Sequence, residues 1–262
     1  MNIGIDITSL IYQRGVSRYT SNLVRALDRY SKEKLFLYGY SLSQKRFLEE
    51  QAAKLTRHPQ SKHQSKIQRI PVSIQSKLWQ LSLNKVTTNF PNLDLFHSWD
   101  WLQPPDETIP IVSTIHDLAI LKFPQTAHPK VLKAHQKSWE ILKERKAHII
   151  AVSHATKKDI VENLDIPNWR VHVVPESLPT EIEQIDREMT EETEERIISM
   201  LNLDKPYILF VGVREPRKNL DRLIKAWLPL AKEIDLIVVG EKSWSESPQK
   251  TSSKSQIFRK SV

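Results

Sequence analysis

Short apolar runs alternate with segments whose apolar residues recur every three or four positions. Ile3–Ile7, Leu35–Tyr40, Ile67–Ile70, Leu93–His97, Ile109–Ile115, Ala147–Val152 and Val171–Val174 predict buried strands. Tyr19, Leu23, Ala26, Leu27 and Tyr30 fall at helical spacing, with Ser17 placed to cap the helix. Helices are also predicted over 44–55, over 76–86, around Val131, Leu132, His135, Trp139 and Leu142, and through Ile160, Val161 and Leu164 with Ser153 as cap. The polar, basic stretch 57–66 reads as a loop. Strands of this kind between amphipathic helices predict an α/β fold whose parallel sheet is covered on both faces.

The pattern breaks after Pro175 and restarts near Tyr207. Residues 1–175 read as a Rossmann-like domain and 176–203 as an acidic connector ending in a helix near Glu192–Leu201. Tyr207–Val211, a helix marked by Leu220, Leu223, Ile224 and Trp227, and Leu236–Val239 then predict a partial second domain over 204–240. Pro229 should end that helix, since it has no N–H to donate. Residues 241–262 hold seven Ser and five Lys or Arg with little apolar periodicity, and are expected to be disordered.

Composition narrows the chemistry. None of the 262 residues is Cys, which excludes disulfides, thiolate catalysis and Cys-ligated zinc. Five glycines exclude a glycine-series dinucleotide fingerprint, and with it argue against an unrelated dehydrogenase. No apolar run approaches the ~20 residues of a membrane-spanning helix. The formal charge of +8 is uneven: Glu176–Arg196 carries nine acids against two bases, so the remainder is strongly basic. Basic clusters attract phosphates or anionic headgroups, although many such lysines simply face water.

Ligands of open parallel sheets bind beyond the carboxyl ends of the strands. Four segments fall there. Arg14-Gly15-Val16-Ser17 leads into the first helix, and a helix start with a flexible glycine suits a phosphate. His116 ends a buried strand and could hydrogen-bond a polar substrate, with Asp117 orienting the imidazole or capping the next turn. Trp99 and Trp101 offer rings that suit a sugar, or that anchor packing. Arg214, Arg217 and Lys218 crowd a predicted helix start, where the dipole disfavours positive charge unless an anion occupies the place.

Gly15-Val16-Ser17-Arg18-Tyr19, Ser113-Thr114-Ile115-His116-Asp117-Leu118, Ala151-Val152-Ser153-His154, Val171-His172-Val173-Val174-Pro175 and Tyr207–Gly212 followed by Glu215-Pro216-Arg217-Lys218-Asn219-Leu220 occur in this order. As an ordered set they resemble the group 1 glycosyltransferases, retaining enzymes of the GT-B fold, and most of all mannosyltransferase-like members that build polysaccharides. The resemblance implies a nucleotide-sugar donor held by the second domain and a glycan or lipid-linked acceptor held by the first. It implies transfer without a metal or cofactor, in the cytoplasm or peripherally at the inner membrane face; no nucleic-acid partner is expected, because no recognition module accompanies the basic charge. Lys218 would hold the donor diphosphate with Arg214 or Arg217. The Gly15 turn would approach the same group, and His116 would contact the donor sugar.

The chain departs from the family pattern in places. Ser17 stands where many members have a second glycine, Val213 where many have Arg, and Glu176-Ser177-Leu178 where a glycine often follows the proline. The later motif of two glutamates separated by seven residues is absent. A C-terminally truncated member would look like this, and a noncatalytic acceptor- or membrane-binding remnant is the alternative. The purified chain is therefore expected to show no sugar transfer from nucleotide-mannose or nucleotide-glucose donors. Measurable release of nucleoside diphosphate coupled to acceptor glycosylation would overturn that expectation.

Overall fold

The computed structural model describes residues 1–56, 63–203, 205–214, 216–240 and 255–258. The chain divides into two units, Met1–Ser177 and Leu178–Val262.

Among the described residues the first unit holds a seven-stranded parallel sheet. Its strands are β1 (Asn2–Asp6), β2 (Lys34–Tyr40), β3 (Gln64–Gln68), β4 (Leu95–Trp99), β5 (Ile111–Ile115), β6 (His148–Ala151) and β7 (Val171–Val173). Their order is β3-β2-β1-β4-β5-β6-β7, so the connection reverses direction between β1 and β4. Helices cover both faces: α1 (Gly15–Tyr30), α2 (Lys45–Leu55), α3 (Val72–Gln80), α4 (Val86–Asn89), α5 (Ala119–Lys122), α6 (Pro129–Glu144) and α7 (His154–Leu164). Ile5, Ile7, Val24, Leu35, Leu37 and Leu48 form the core on one face of β1 and β2. Phe36, Tyr38, Tyr40, Trp79, Phe90 and Phe96 fill the other. Ile115, Trp139, Leu142, Ile149 and Ile160 form a third cluster around β5 and β6.

Local signals explain some helix starts. Ser153 Oγ accepts the Thr156 N–H and caps α7 as expected. In α1 the helix begins at Gly15, and Ser17 reaches back instead: its Oγ accepts the Arg14 N–H at 3.1 Å and donates to the Ser9 carbonyl at 2.6 Å.

Two elements differ from the sequence pattern for long-range reasons. β3 begins at Gln64, inside the expected loop. His63, buried against Asp28 of α1, accepts the Leu35 N–H at 3.0 Å on Nδ1 and so ties the start of β3 to β2. The expected helix over 76–86 is split between α3 and α4 by Ser82 and Asn84, both left-handed at φ 57° and 54°. Asn84 Nδ2 donates to Gln68 Oε1 and Gln75 Oε1 at 2.6 and 2.7 Å, which holds the break in place.

In the second unit, α8 (Thr180–Glu188) and α9 (Glu191–Met200) precede β8 (Tyr207–Val211), α10 (Leu220–Trp227) and β9 (Asp235–Val239). α8 lies within the segment expected to be a plain connector. α10 ends at Trp227, just before Pro229, for the reason anticipated. Trp227, Ala231, Leu236 and Val238 pack with Ile208, Phe210, Leu223 and Ile224. On its other side β8 presents Tyr207, Leu209 and Val211 to solvent. β10 (Ser255–Phe258) pairs antiparallel with β9, which corrects the expectation of disorder for those four residues. β9 offers an open row of backbone groups, and pairing satisfies them. The rest of 241–262 lies outside the described residues.

β1 makes a close contact at Gly4, whose neighbours in register are Phe36 on β2 and Phe96 on β4. A Cβ there would lie 2.5 Å from the Phe96 ring and 3.0 Å from Leu93, and Phe96 is fully buried. Gly4→Ala is expected to cost about 1–3 kcal/mol. Urea unfolding should show a lower midpoint with an unchanged slope; an unchanged midpoint would mean that Phe96 relaxes freely.

Candidate functional site

In the first unit the carboxyl ends of β1, β4 and β5 converge at the reversal in strand order. Asp6 ends β1, Trp99 ends β4, and His116 follows β5. Tyr19, one turn into α1, leans over them. Its hydroxyl shares a 2.9 Å hydrogen bond with Thr114 Oγ1, and Thr114 Oγ1 lies 2.9 Å from His97 Nε2. The Tyr19 ring meets the His116 ring edge-on, with centroids 4.8 Å apart and planes at 89°.

Burial sets the charges here. His97 is 9% exposed, and burial, helped by the nearby His116, lowers its pKa to about 4, so it is a neutral hydrogen-bonding group at ordinary pH. Burial raises the Tyr19 pKa, against the lowering effect of its bond to Thr114. Asp6, 3% exposed, is raised to about 6 by burial despite hydrogen bonds from Thr8. Its Oδ1 accepts the Thr8 N–H at 2.8 Å, while Oδ2 is buried without a partner. Beside this group Asp100 is raised to about 7 by burial and by the charge of Asp117. His135, 3.6 Å away, is lowered to about 4 by burial, with Asp117 opposing.

The residues expected from sequence fall as follows. His116 keeps a quarter of its side chain exposed, and its Nδ1 lies 2.8 Å from Glu176 Oε1. Asp117 Oδ1 accepts the Ala119 N–H at 2.8 Å, capping the turn of α5, so the carboxylate hydrogen-bonded to the His116 ring is Glu176. Trp99 is buried and its indole N–H donates to the Asp6 carbonyl at 3.2 Å, a packing position. Trp101 is half-buried and lines a cavity of about 800 Å³ with Leu102, Pro104 and α6 residues including Lys137 and Ile141. Gly15 opens α1, and a Cβ added there would meet no atom within 4 Å. Arg14 and Arg18 line a shallow depression of about 180 Å³ beside it.

In the second unit β8 runs into Gly212, and Arg217 and Lys218 follow in a short 3-10 turn at Pro216–Lys218. Both are exposed, and Arg214 is half-buried. Gly212 and Gly240, at φ 156° and 147°, bring the ends of β8 and β9 together: a Cβ on Gly240 would lie 1.9 Å from the Gly212 carbonyl oxygen. Lys218 lies over this bend, its Cε 4.0 Å from where a Gly212 Cβ would stand. Asn219, left-handed at φ 54°, separates the basic turn from α10, so the three cations precede the helix proper instead of sitting in its first turn.

Tyr19, His97, Thr114 and Glu176 join His116 only in the folded chain. Tyr19 and Thr114 stood inside recognisable motifs, and Glu176 was visible as a departure after Pro175. Among the described residues no group of three or more His, Asp or Glu side chains gathers as a metal site. No helix among them is long and apolar enough to cross a membrane.

Comparison with known proteins gives two family matches, Glycosyltransferase Family 4 over residues 13–181 and Glycosyl transferases group 1 over residues 191–259. The fold is similar to that of a glycosyltransferase from Rickettsia africae ESF-5, with 13% identity and a TM-score of 0.51 over 90% of this chain and 68% of that one. The N-terminal domain of Candida albicans trehalose-6-phosphate phosphatase aligns with 15% identity and a TM-score of 0.43, over 93% and 65% of the two chains. No curated protein matches. At such identities the first likeness is one of fold: a mixed α/β architecture of the GT-B kind.

The Asp6 shift has a measurable consequence. Its stabilising contribution is full below the unfolded value of 3.8 and is lost as pH rises to about 6, because the folded chain holds the proton longer. Asp6→Asn removes that loss. Relative to wild type, the variant should gain on the order of 2–3 kcal/mol between pH 4 and pH 7. A wild-type-minus-variant difference in unfolding free energy that is flat across this range would place the Asp6 charge elsewhere.

Proposed function

The chain belongs to Glycosyltransferase Family 4, and on that footing we propose that it carries binding groups of an enzyme that transfers a sugar from a nucleotide-sugar donor to a glycan or lipid-linked acceptor. The basic turn from Gly212 to Asn219 is the observation that carries the donor half of this reading. It falls within the group 1 match, its Arg217 and Lys218 are exposed, and Lys218 Cε comes within 4.0 Å of where a Gly212 Cβ would stand.

Each residue takes a role that its chemistry suits. Lys218 is a point charge for the donor diphosphate, and the guanidinium groups of Arg214 and Arg217 bind phosphate oxygens. In the first unit the open Gly15 turn offers backbone N–H groups to the same kind of anion. His116 contacts the transferred sugar, with Asp117 supporting the adjacent backbone turn. Trp101, half-buried just after β4, serves the acceptor side, and Trp99 supports that side from within the core.

In a metal-free transfer, negative charge builds on the departing diphosphate. Cations and N–H groups already in position stabilise it without further reorganisation. Retention at the anomeric carbon and a mannose-type donor complete the reading, on the strength of the motif resemblance. The basic clusters of the first unit suit peripheral contact with an anionic membrane surface, where a lipid-linked acceptor would reside.

Donor binding is the step to measure. Titration calorimetry with GDP and UDP should detect binding to the wild-type chain, weakened about tenfold in Lys218→Ala. Equal affinities for the two proteins would remove Lys218 from the diphosphate site.

A further inference from the structure

The ring of His116 is held from two sides. The Tyr19 ring stands perpendicular to it with centroids 4.8 Å apart, and Glu176 Oε1 lies 2.8 Å from Nδ1. The backbone is anchored as well, because Thr156 Oγ1 donates to the His116 carbonyl at 3.1 Å. Glu176 reaches the site by the run of the chain after β7. The Val174 N–H bonds to the Ala151 carbonyl at 2.9 Å, which extends the path of β7 along β6 beyond its last ladder pair. Pro175 then fixes its own φ and favours an extended Val174, so the next side chain arrives at the carboxyl edge of the sheet. This is the place where the sequence departs from the family resemblance, with Glu176-Ser177-Leu178 where a glycine often follows the proline.

An ionised carboxylate only accepts hydrogen bonds. The proton in the His116–Glu176 bond therefore belongs to His116 Nδ1, and in the neutral ring the lone pair is left on Nε2. We infer that Glu176 is a positioning residue, which fixes His116 as the Nδ1–H tautomer so that Nε2 accepts a hydrogen bond from a sugar hydroxyl. This rests on the sugar-transfer reading for its ligand, but the tautomer is a property of the protein alone. Glu176 is about half exposed, so water competes for its carboxylate and the bond adds little to stability. Its effect is on direction: it decides which nitrogen faces a substrate and whether that nitrogen donates or accepts. Asp117 is occupied at the turn of α5.

Two-bond proton–nitrogen correlation spectra of the 15N-labelled full chain distinguish the two neutral tautomers. His116 is assigned by its loss in His116→Gln, and the spectra are taken at about pH 8, above the usual imidazole range. The wild type should show a pyrrole-type Nδ1 and a pyridine-type Nε2. Glu176→Gln should keep this pattern, because the amide oxygen also accepts from Nδ1–H. Glu176→Ala should convert the major form to Nε2–H. A wild-type ring that is mainly Nε2–H, or one that Glu176→Ala leaves unchanged, overturns the assignment.

Addition of GDP-mannose or UDP-glucose should then shift the wild-type Nε2 signal, while GDP and UDP alone leave it in place. Affinity for the sugar nucleotide should fall about tenfold in Glu176→Ala and stay within about twofold in Glu176→Gln. An Nδ1–H ring whose Nε2 ignores both sugar nucleotides refutes the sugar contact, and with it the proposed role of His116, but leaves the hold of Glu176 on the ring supported.

Discussion

β1 lies between β2 and β4 with no side chain at Gly4, and the Phe96 ring occupies the space that a Cβ would take. That contact sets how closely the central strands approach and in which register. Their ends carry the site: Asp6 on β1, His97 and Trp99 on β4, Thr114 and His116 on or just after β5. The indole of Trp99 closes the arrangement by donating to the Asp6 carbonyl. A register shift of one residue would turn each of these side chains to the opposite face of the sheet.

The two units offer different electrostatic material. At the strand ends of the first unit, burial keeps His97 neutral and holds a proton on Asp6 well above the usual carboxylate range. What is left is a set of hydroxyls and imidazoles flanked by the Glu176 and Asp117 carboxylates, hydrogen-bonding groups suited to a polyhydroxyl ligand. In the second unit the Gly212 turn is open and cationic, suited to a phosphate.

Much of this architecture was legible from periodicity. Strands such as Ile3–Ile7 and Leu35–Tyr40 stand out because a parallel sheet buried on both faces leaves continuous apolar runs. The stop of α10 before Pro229 and the Ser153 cap were readable because each is a local hydrogen-bond rule. The start of β3 was not, because it depends on His63 meeting Asp28 and Leu35 across the fold. The break between α3 and α4 was hidden for the same reason, since Asn84 is held left-handed by Gln68 and Gln75. β10 is a strand through its pairing with β9.

The candidate site divides along the same line. Order along the chain was enough to name His116, Lys218 and the Gly15 turn, because strand-to-helix junctions in an α/β sheet fall at its carboxyl edge whatever the details of packing. The partners of those residues were beyond reach of the chain order. His116 and Glu176 are sixty positions apart, and Tyr19 and Thr114 ninety-five. Asp117, adjacent to His116 in sequence, accepts the Ala119 N–H at the next turn, one of the two roles the sequence offered it. A hydrogen bond is decided by distances of a few tenths of an ångström. Such distances between remote residues exist only once the sheet has set its register and the helices have packed against it.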